Sequence, residues 1–231
     1  MLPVAILAGG LATRLYPISA LLPKALMSVA GRPFIFHQLE LLKTQGIERV
    51  VLCVGHLGEQ IRATVGDGRA LEMSITYSFD GTPLLGTGGA IKRALPLLGE
   101  HFFVMYGDAY LPCSFAAVQA AYESARQPAL MTVIRNENRW DRSNALFDGD
   151  SVIEYDKQSG RGDLTHIDFG VSVLSSAVFE PYAGRHCIDL ADIFRTLSRQ
   201  GRLAGFEGAQ RFYEIGSLQG MRETDAYLSH R

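Results

Sequence analysis

The sequence predicts an α/β fold in which a mostly parallel mixed sheet carries helices on both faces and a small β-rich lobe follows. Short apolar runs alternate with amphipathic helical segments over the first 135 residues. Several of these runs are apolar throughout, as strands buried on both faces of a sheet should be. After about residue 136 a hairpin signal and short strands replace that alternation.

The first part of the chain contains five predicted strands, with one predicted helix between each strand and the next. Apolar residues at helical spacing, including Phe34 and Leu41, define the first helix, and Gly46 stops it. The predicted strands are 4–8, 50–54, 73–79, 101–106 and 129–135. The predicted helices are 33–45, 57–65, 87–95 and 114–126. Alternation of this kind favours a parallel sheet whose ligands lie at the carboxyl ends of the strands.

The second part is predicted to be richer in strands. Asp148-Gly149-Asp150 separates two short runs and is a hairpin signal. The predicted strands are 144–147, 152–155, 166–174, 203–206 and 211–215, and the predicted helices are 189–200 and 217–228, the latter capped by Ser217. No flexible linker separates the parts, so we predict one domain, 1–231, with lobes 1–135 and 136–216 and a closing helix in 217–231.

Composition excludes several classes of protein. The net charge is −2 and the Lys and Arg residues are scattered, which favours neither a nucleic acid nor a membrane partner. No apolar stretch approaches the ~20 residues of a membrane helix, so we expect a cytoplasmic protein. Cys53, Cys113 and Cys187 are odd in number without paired spacing, which predicts reduced thiols.

The end of the first predicted strand is the most informative segment. It reads Ala8-Gly9-Gly10-Leu11-Ala12-Thr13-Arg14-Leu15, and Pro23-Lys24 follows. Small residues let backbone N–H groups approach phosphate oxygens, and Arg14 and Lys24 supply positive charge. The loop has neither the spacing of a Walker loop nor, with alanine at position 12, the dinucleotide fingerprint. An oxidoreductase would also need an acidic residue about 20 positions later, where this chain has Pro23-Lys24.

These residues resemble the signature of sugar-1-phosphate nucleotidyltransferases, in which Gly-Gly-x-Gly-Thr-Arg-Leu precedes a Pro-Lys pair. Ala12 departs from it by replacing the third glycine. The resemblance runs from Val4 to about Gly216 and implies the Rossmann-like sheet of the nucleotide-diphospho-sugar transferases. It implies a catalytic role for Arg14, Lys24 and Asp108. The nucleotide-binding residues that it implies are Leu7, Ala8, Gly9, Gly10, Ala12, Thr13, Arg14, Asp80, Gly86, Thr87, Gly88 and Gly107.

Two carboxylates are candidates for holding Mg²⁺. Asp108 follows a predicted strand on the same rim as the phosphate loop, where a carboxylate can hold Mg²⁺ against phosphate oxygens. The resemblance implies a second ligand late in the chain, in an Asp-x-Gly-Thr/Ser segment. Glu214-Ile215-Gly216-Ser217 aligns with that segment, so Glu214 replaces the aspartate.

A second glycine-rich segment spans 79–90. Four glycines just before and within a helix are costly for folding, and close backbone approach to a planar base would explain them. Its Leu-Gly-Thr-Gly-Gly-Ala-Ile run is similar to the branch that activates heptose or mannose 1-phosphates with guanine nucleotide. Guanine offers N–H donors at N1 and N2, so a nearby acceptor such as Asp80 or a loop carbonyl group would suit it. On the sugar side the resemblance implies Lys157, Asp156, Asp168 and Gly170 as sugar-phosphate-binding residues.

The expected reaction is therefore nucleotidyl transfer from a nucleoside triphosphate, with GTP favoured, to a sugar 1-phosphate. The branch most similar to this chain is the D-glycero-α-D-manno-heptose 1-phosphate guanylyltransferases, whose products feed capsule or lipopolysaccharide. The alternatives are uridylyl, cytidylyl or thymidylyl transfer to a hexose or amino-sugar 1-phosphate, and a catalytically silent regulatory subunit. The chain is expected to act as a monomer or homodimer.

Overall fold

A computed structural model describes residues 1–10, 20–158 and 161–230. Within them the strands are β1 (Val4–Leu7), β2 (Ser28–Val29), β3 (Arg32–Pro33), β4 (Arg49–Val54), β5 (Ser74–Phe79), β6 (His101–Tyr106), β7 (Ala109–Tyr110), β8 (Ala129–Arg135), β9 (Ala145–Phe147), β10 (Val152–Tyr155), β11 (His166–Ser175), β12 (Leu203–Glu207) and β13 (Tyr213–Glu214). The α-helices are α1 (Phe34–Thr44), α2 (Gly58–Val65), α3 (Gly86–Leu98), α4 (Phe115–Ala125), α5 (Leu190–Arg199) and α6 (Leu218–Ser229).

The predicted elements are confirmed, with differences at their ends. Helix α3 continues three residues beyond its predicted end and includes Pro96. The last predicted strand, 211–215, is reduced to the two residues of β13. The short strands β2, β3 and β7 were not predicted, because strands of two residues carry no periodicity that a sequence could reveal.

The main sheet is mixed and mostly buried. Its strands follow the order β10-β9-β11-β6-β1-β4-β5, and β8 and β12 continue from β11. Strands β6, β1, β4 and β5 are parallel neighbours. Their carboxyl ends therefore meet at one rim, where β1 ends at Leu7 and β6 ends at Tyr106. This is the rim that the sequence predicted for the phosphate loop.

Strand β11 differs from the expectation of a separate second lobe. It pairs antiparallel with β6 on one side and with β8 on the other, so it lies inside the main sheet. Strand β8, predicted as the fifth strand of the first part, pairs with β11 and β12. The second part thus contributes a strand beside β6, which satisfies backbone groups that would otherwise form an open sheet edge.

Helices cover both faces of the sheet, as predicted. On one face Leu39 of α1, Ile61 of α2 and Phe115 of α4 belong to one buried cluster. On the other face Ile91 of α3 and Phe194 of α5 belong to a second cluster. Helices α1 and α2 therefore lie together on one face of the sheet, and α3 lies on the other face.

The closing helix α6 begins where the sequence predicted. The Ser217 hydroxyl accepts a hydrogen bond from the Gly220 N–H at 3.0 Å and caps the helix. The helix packs next to a small cluster that contains Val29, Tyr110 and Ile215. Within the described part of the chain, no helix combines the length and apolar character needed to cross a membrane.

All three cysteines are free thiols, in agreement with the prediction. Cys53 is buried in β4, and burial raises the pKa of its thiol to about 12. It is therefore an inert core residue at neutral pH.

Candidate active site

The rim at the ends of β1 and β6 encloses a cavity of about 250 Å³, called here the nucleotide cavity. Most of the residues predicted to bind nucleotide line it. They are Leu7, Ala8, Gly9, Gly10, Asp80, Gly86, Thr87 and Gly107, together with Lys24 and Asp108. The predicted residues Ala12, Thr13 and Arg14 lie outside the described residues, and Gly88 is not part of the lining.

Glycines at this rim are required by contacts within the protein. A Cβ on Gly107 would lie 2.7 Å from the carbonyl oxygen of Leu7, to which the Gly107 N–H donates a hydrogen bond. A Cβ on Gly9 would lie 2.9 Å from the Gly55 nitrogen at the end of β4. Among the described residues, nothing lies within 4 Å of the position that a Cβ of Gly10 would take, so of Gly9 and Gly10 it is Gly10 whose backbone a ligand could approach.

Lys24 and Asp108 meet at the mouth of the nucleotide cavity. Lys24 Nζ donates to Asp108 Oδ2 at 2.9 Å, although the two residues are far apart in the sequence. Lys24 opens a single helical turn, Lys24–Leu26, and the buried side chains of Ala25 and Leu26 anchor that turn to the core. A cation and a carboxylate are thus held together where phosphate groups would arrive.

Gln38 supports the turn that carries Asp108. Its buried amide Nε2 donates to the carbonyl oxygens of Tyr106 at 3.0 Å and Ala109 at 2.8 Å. One side chain of α1 therefore holds both ends of the Gly107-Asp108 turn. Gln38 was not predicted from the sequence, because its position in α1 identifies it only as a polar residue on a helix.

The second glycine-rich segment is shaped by its own chain more than the prediction assumed. The N–H groups of Gly88 and Gly89 donate to the carbonyl oxygen of Ile188. A Cβ on Gly86 would lie 2.6 Å from that same oxygen, and one on Gly89 would lie 2.6 Å from the carbonyl oxygen of His186. Close packing of the segment before α5, rather than a base, explains these glycines.

Thr87 is likewise occupied by a contact inside the protein. Its hydroxyl donates to Asp189 Oδ1 at 2.9 Å and accepts from the Leu190 N–H at 2.8 Å. Thr87 lines the nucleotide cavity, so it forms part of the cavity wall while its hydroxyl secures the start of α5.

Asp80 is a buried acceptor in the nucleotide cavity. Its side chain is largely inaccessible, and Oδ1 has no hydrogen-bond partner within the described structure. Burial raises the pKa of the Asp80 carboxyl, against the Leu85 N–H and the Arg93 guanidinium, which lower it. An unsatisfied buried oxygen is costly, and a ligand N–H donor would satisfy it.

Asp108 and Glu214 come close to each other beside Gly216. Strands β7 and β13 pair with Ala109 opposite Glu214, and the Ile215 N–H donates to the Asp108 carbonyl oxygen at 2.9 Å. Both carboxylates approach the position that a Cβ of Gly216 would take. Backbone pairing between distant segments therefore joins the two predicted metal ligands.

Glu214 is also engaged at the start of α6. Its Oε1 accepts from the Ser217 hydroxyl at 2.8 Å, and its Oε2 accepts from the Gly216 N–H. Among the described residues, no group of three or more potential ligands surrounds one point. The pair still suits Mg²⁺, which binds one or two protein carboxylates and takes further oxygens from substrate phosphates and water.

A second cavity of about 320 Å³, called here the sugar cavity, adjoins the same turn. Tyr106 and Asp108 line both cavities. Lys157, Asp168 and Gly170 also line the sugar cavity, as predicted. The structure therefore joins the predicted phosphate and sugar sides at the carboxyl end of β6.

Lys157 is held in its charged form. Its Nζ donates to the Tyr106 hydroxyl at 3.3 Å and lies 5.0 Å from the centre of the Tyr106 ring. Burial of the ammonium opposes its charge, but Tyr106 and Asp168 outweigh that effect and raise the pKa of Lys157. The sequence analysis missed Tyr106, although its place directly before Gly107-Asp108 was a usable signal.

Asp168 is fixed at the bend of β11. The Gly170 N–H donates to its Oδ1 at 2.9 Å, and the Tyr155 hydroxyl donates to its Oδ2 at 3.3 Å. Gly170 has a φ of +100° at a register shift of the strand, which favours glycine. The missed Asn144 accepts from the Asp168 N–H at 2.9 Å and lines the sugar cavity.

Asp156 is the predicted sugar-side residue that the structure does not bring to the cavity. Its carboxylate accepts from Arg195 of α5 at 3.3 Å and from the Gln158 N–H at 2.8 Å. These contacts lower the pKa of Asp156. Because side chains alternate at a strand end, Asp156 faces α5 whereas its neighbour Lys157 faces the cavity.

Comparisons with known proteins identify the family of this chain. A family model described as "Nucleotidyl transferase" matches residues 4–144. The chain is 30% identical to N-acetylmuramate alpha-1-phosphate uridylyltransferase from Neisseria meningitidis over 224 residues, which cover 96% of each chain. It is 28% identical to D-glycero-alpha-D-manno-heptose 1-phosphate guanylyltransferase from Aneurinibacillus thermoaerophilus over 233 residues, or 97% of each.

A solved structure has the same fold. HddC from Yersinia pseudotuberculosis, complexed with GMP-PN, superposes with a TM-score of 0.79 at 24% identity. The match covers 99% of this chain and 100% of that one.

Proposed function

The chain belongs to the nucleotidyl transferase family, and we propose that it transfers a nucleotidyl group from a nucleoside triphosphate to a sugar 1-phosphate, releasing pyrophosphate. One observation carries this proposal. The nucleotide cavity and the sugar cavity share Tyr106 and Asp108, with Lys24 on the nucleotide side and Lys157 on the sugar side. Two phosphorylated substrates would therefore meet at one carboxylate between two cations.

The proposed reaction is an in-line displacement. A phosphate oxygen of the sugar 1-phosphate forms a bond to the α-phosphorus, and the bond from that phosphorus to the pyrophosphate oxygen breaks. The attacking oxygen is already anionic at neutral pH, so the protein needs no general base. Catalysis then depends on positioning the two substrates and neutralising their charge.

Each residue of the site has a distinct part in this proposal. Lys24 binds phosphoryl oxygens at the mouth of the nucleotide cavity, and Lys157 binds the sugar phosphate. Asp108, with Glu214 beside it, would hold Mg²⁺, which supplies positive charge to the phosphate groups when bound. Arg14 stays a prediction as the ligand of the leaving pyrophosphate, since it lies outside the described residues.

GTP is the proposed donor. Guanine presents two adjacent donors, N1–H and N2–H, and a carboxylate can accept from both. Asp80 lines the nucleotide cavity, and its carboxylate, whose Oδ1 has no partner within the described structure, supports this choice. Uracil has a single N3–H between two carbonyl oxygens, which would repel a carboxylate.

The proposed acceptor is D-glycero-α-D-manno-heptose 1-phosphate, supported by the similarity to an enzyme of that name. Uridylyl transfer is a second candidate, because the relative with 30% identity over 96% of both chains is named an N-acetylmuramate 1-phosphate uridylyltransferase. A silent nucleotide-sugar-binding subunit is disfavoured by the presence of Lys24, Asp108 and Lys157 in one cleft.

We also propose the wider setting of the reaction. The chain acts as one domain in the cytoplasm, where nucleoside triphosphates are supplied. Residues 1–135 bind the nucleotide, residues 136–216 bind the sugar phosphate and residues 217–231 form the closing helix. The nucleotide sugar would serve capsule or lipopolysaccharide synthesis.

Pyrophosphate release with Mg²⁺ tests the proposal directly. GTP, CTP, UTP, dTTP and ATP are each paired with heptose, mannose, glucose, N-acetylglucosamine and N-acetylmuramate 1-phosphates. Turnover only with GTP and the heptose or mannose phosphate is the expected result. Turnover with another pair would keep the reaction and overturn the donor or acceptor. No turnover with any pair would favour the silent binding subunit.

A further inference from the structure

A third cavity, of about 530 Å³, opens beyond the sugar cavity and is called here the arm cavity. The two cavities share Asp141, Ile167, Phe212 and Glu214, so they are direct neighbours. The arm cavity is larger than the sugar cavity. A sugar ring whose phosphate binds Lys157 would leave the arm cavity for whatever extends from the ring.

Arg211 lines the arm cavity and contacts two aromatic rings. Its guanidinium carbon is 5.8 Å from the centre of the Trp140 ring and 5.3 Å from the centre of the Tyr213 ring. One terminal nitrogen, Nη2, donates to Glu223. The side chain keeps 38% of its surface exposed, and Nη2 is the nitrogen for which the described structure contains a hydrogen bond.

The aromatic residues link the arm cavity to the sugar cavity. Phe212 packs edge-on against Trp140, with ring centres 6.3 Å apart, and against Phe169 of β11 at 6.1 Å. Phe169 directly precedes Gly170, which lines the sugar cavity. One set of packed rings thus fixes Arg211 relative to the residues around the sugar ring.

This lining suits a polar substituent of a sugar. Aromatic walls offer apolar contact to C–H groups, and a guanidinium held on ring faces presents fixed N–H donors to hydroxyl or carboxylate oxygens. Glu223 already accepts from Arg211 and, through Oε1, from the Gln219 amide at 3.0 Å, and its carboxylate oxygens keep lone pairs for a hydroxyl group. A bare hexose would leave these polar groups without a ligand.

We propose that the acceptor is a sugar 1-phosphate with a polar arm larger than any substituent of a simple hexose, and that Arg211 and Trp140 hold this arm. The inference rests on the proposed function and adds the residues that would recognise the acceptor. Two kinds of arm have the required chemistry, the additional hydroxylated carbon of a heptose and the carboxylated ether of N-acetylmuramate.

Two matched pairs of acceptors test the inference. Heptose 1-phosphate is compared with mannose 1-phosphate, and N-acetylmuramate 1-phosphate with N-acetylglucosamine 1-phosphate, because the members of each pair differ by the arm. For the pair that fits, kcat/KM should be higher for the sugar with the arm. The preference is the kcat/KM for the sugar with the arm divided by the kcat/KM for its partner. In Arg211→Met this preference should fall about tenfold, mainly through a higher KM for the sugar with the arm, since the variant loses hydrogen bonds to the arm.

Two further variants serve as controls for the effect of Arg211→Met. Arg211→Lys keeps the charge without the planar fork and should lose part of the preference. Arg222→Met removes an exposed arginine of α6 that lines neither cavity, and its ratios should match those of the unchanged protein. If Arg211→Met unfolds, Arg211→Lys carries the test.

The outcomes separate this inference from the proposed function. A loss of preference in the heptose pair identifies a hydroxylated arm, and a loss in the N-acetylmuramate pair identifies a carboxylated one. Equal kcat/KM values within both pairs, or ratios that Arg211→Met leaves unchanged, overturn the inference while the reaction stands. Should no sugar turn over, calorimetric Kd values replace kcat/KM, and equal Kd values within both pairs overturn it too.

Discussion

The nucleotide end and the sugar end of the cleft are lined by different kinds of chemical group. Backbone atoms, glycines and apolar side chains from the ends of parallel strands form most of the nucleotide cavity. Charged side chains from strands, turns and α6 surround the sugar and arm cavities, among them Lys157, Asp168, Arg211 and Glu223. The sheet itself therefore shapes the nucleotide end, whereas the sugar end depends on side chains that converge from distant segments.

Asp108 belongs to both ends, so its loss should affect both substrates. Lys24→Ala and Asp108→Ala should each reduce kcat/KM by about 10²–10³, because each removes a preorganised charge at the transferred phosphoryl group. Steady-state pyrophosphate release measures this, with circular dichroism as the check on folding. Lys43→Ala, which removes an exposed lysine paired with Glu72, is the matched control. Near-normal turnover in a folded Lys24 or Asp108 variant would contradict the assignment.

Lys157 separates the two ends. Lys157→Met should raise KM for the sugar 1-phosphate by about 10- to 100-fold, since a charge-assisted hydrogen bond is lost. KM for the nucleotide should change little, because Lys157 does not line the nucleotide cavity. Equal changes in both KM values would show that the ends are not independent. Lys43→Met serves as the control for loss of a lysine charge.

Asp80 tests recognition at the nucleotide end. In Asp80→Asn the preference for GTP over UTP should fall by about 10- to 100-fold, because an amide cannot accept from both guanine donors through two oxygens. Competition between the two nucleotides in one assay measures the preference directly. A preference that is unchanged in the folded variant would remove Asp80 from base recognition.

The same variant has an expected effect on stability. Burial raises the pKa of Asp80 above its ordinary 3.8, so the folded state binds the proton more tightly than the unfolded state does. The contribution of Asp80 to stability therefore falls as pH rises from about 3.8 through the folded pKa. Asp80→Asn lacks this loss. The melting temperature of the variant minus that of the unchanged protein should therefore be more positive at about pH 8 than at about pH 4.

The smallest expected effect on activity lies outside both ends. The Ser114 hydroxyl caps α4 by accepting from the Ala117 N–H at 3.2 Å. Ser114→Ala should cost about 1 kcal/mol of stability. The melting temperature should fall by about 2–4 °C. The kcat/KM values for both substrates should stay unchanged, and a change in either would mean that α4 is coupled to the cleft.

The same contrast explains which site residues the sequence could identify. Gly9, Lys24, Gly107 and Asp108 stand at or near the ends of local apolar runs, so their position at the rim followed from the strand pattern. Asn144, Arg211 and Gln38 have no such local signal. Their partners are Asp168, Glu223 and the Tyr106 and Ala109 carbonyl groups, none of which is adjacent to them in the sequence.

Tertiary contacts also explain why residues 86–89 contain three glycines. The sequence showed that the backbone there must pass close to something, since glycine is costly at the start of a helix. The close neighbour turned out to be the chain itself, at His186 and Ile188. Close approach has the same sequence signature whether the neighbour is a ligand or another segment.

The sequence by itself determined the α/β class, the alternation of strands and helices, the family and the rim where the phosphate residues lie, because these depend on local periodicity and on short spacings. Tertiary structure alone decided that β11 enters the main sheet and that Asp156 turns to Arg195. Each of these depends on pairing between segments far apart in the chain, for which neither periodicity nor spacing carries information.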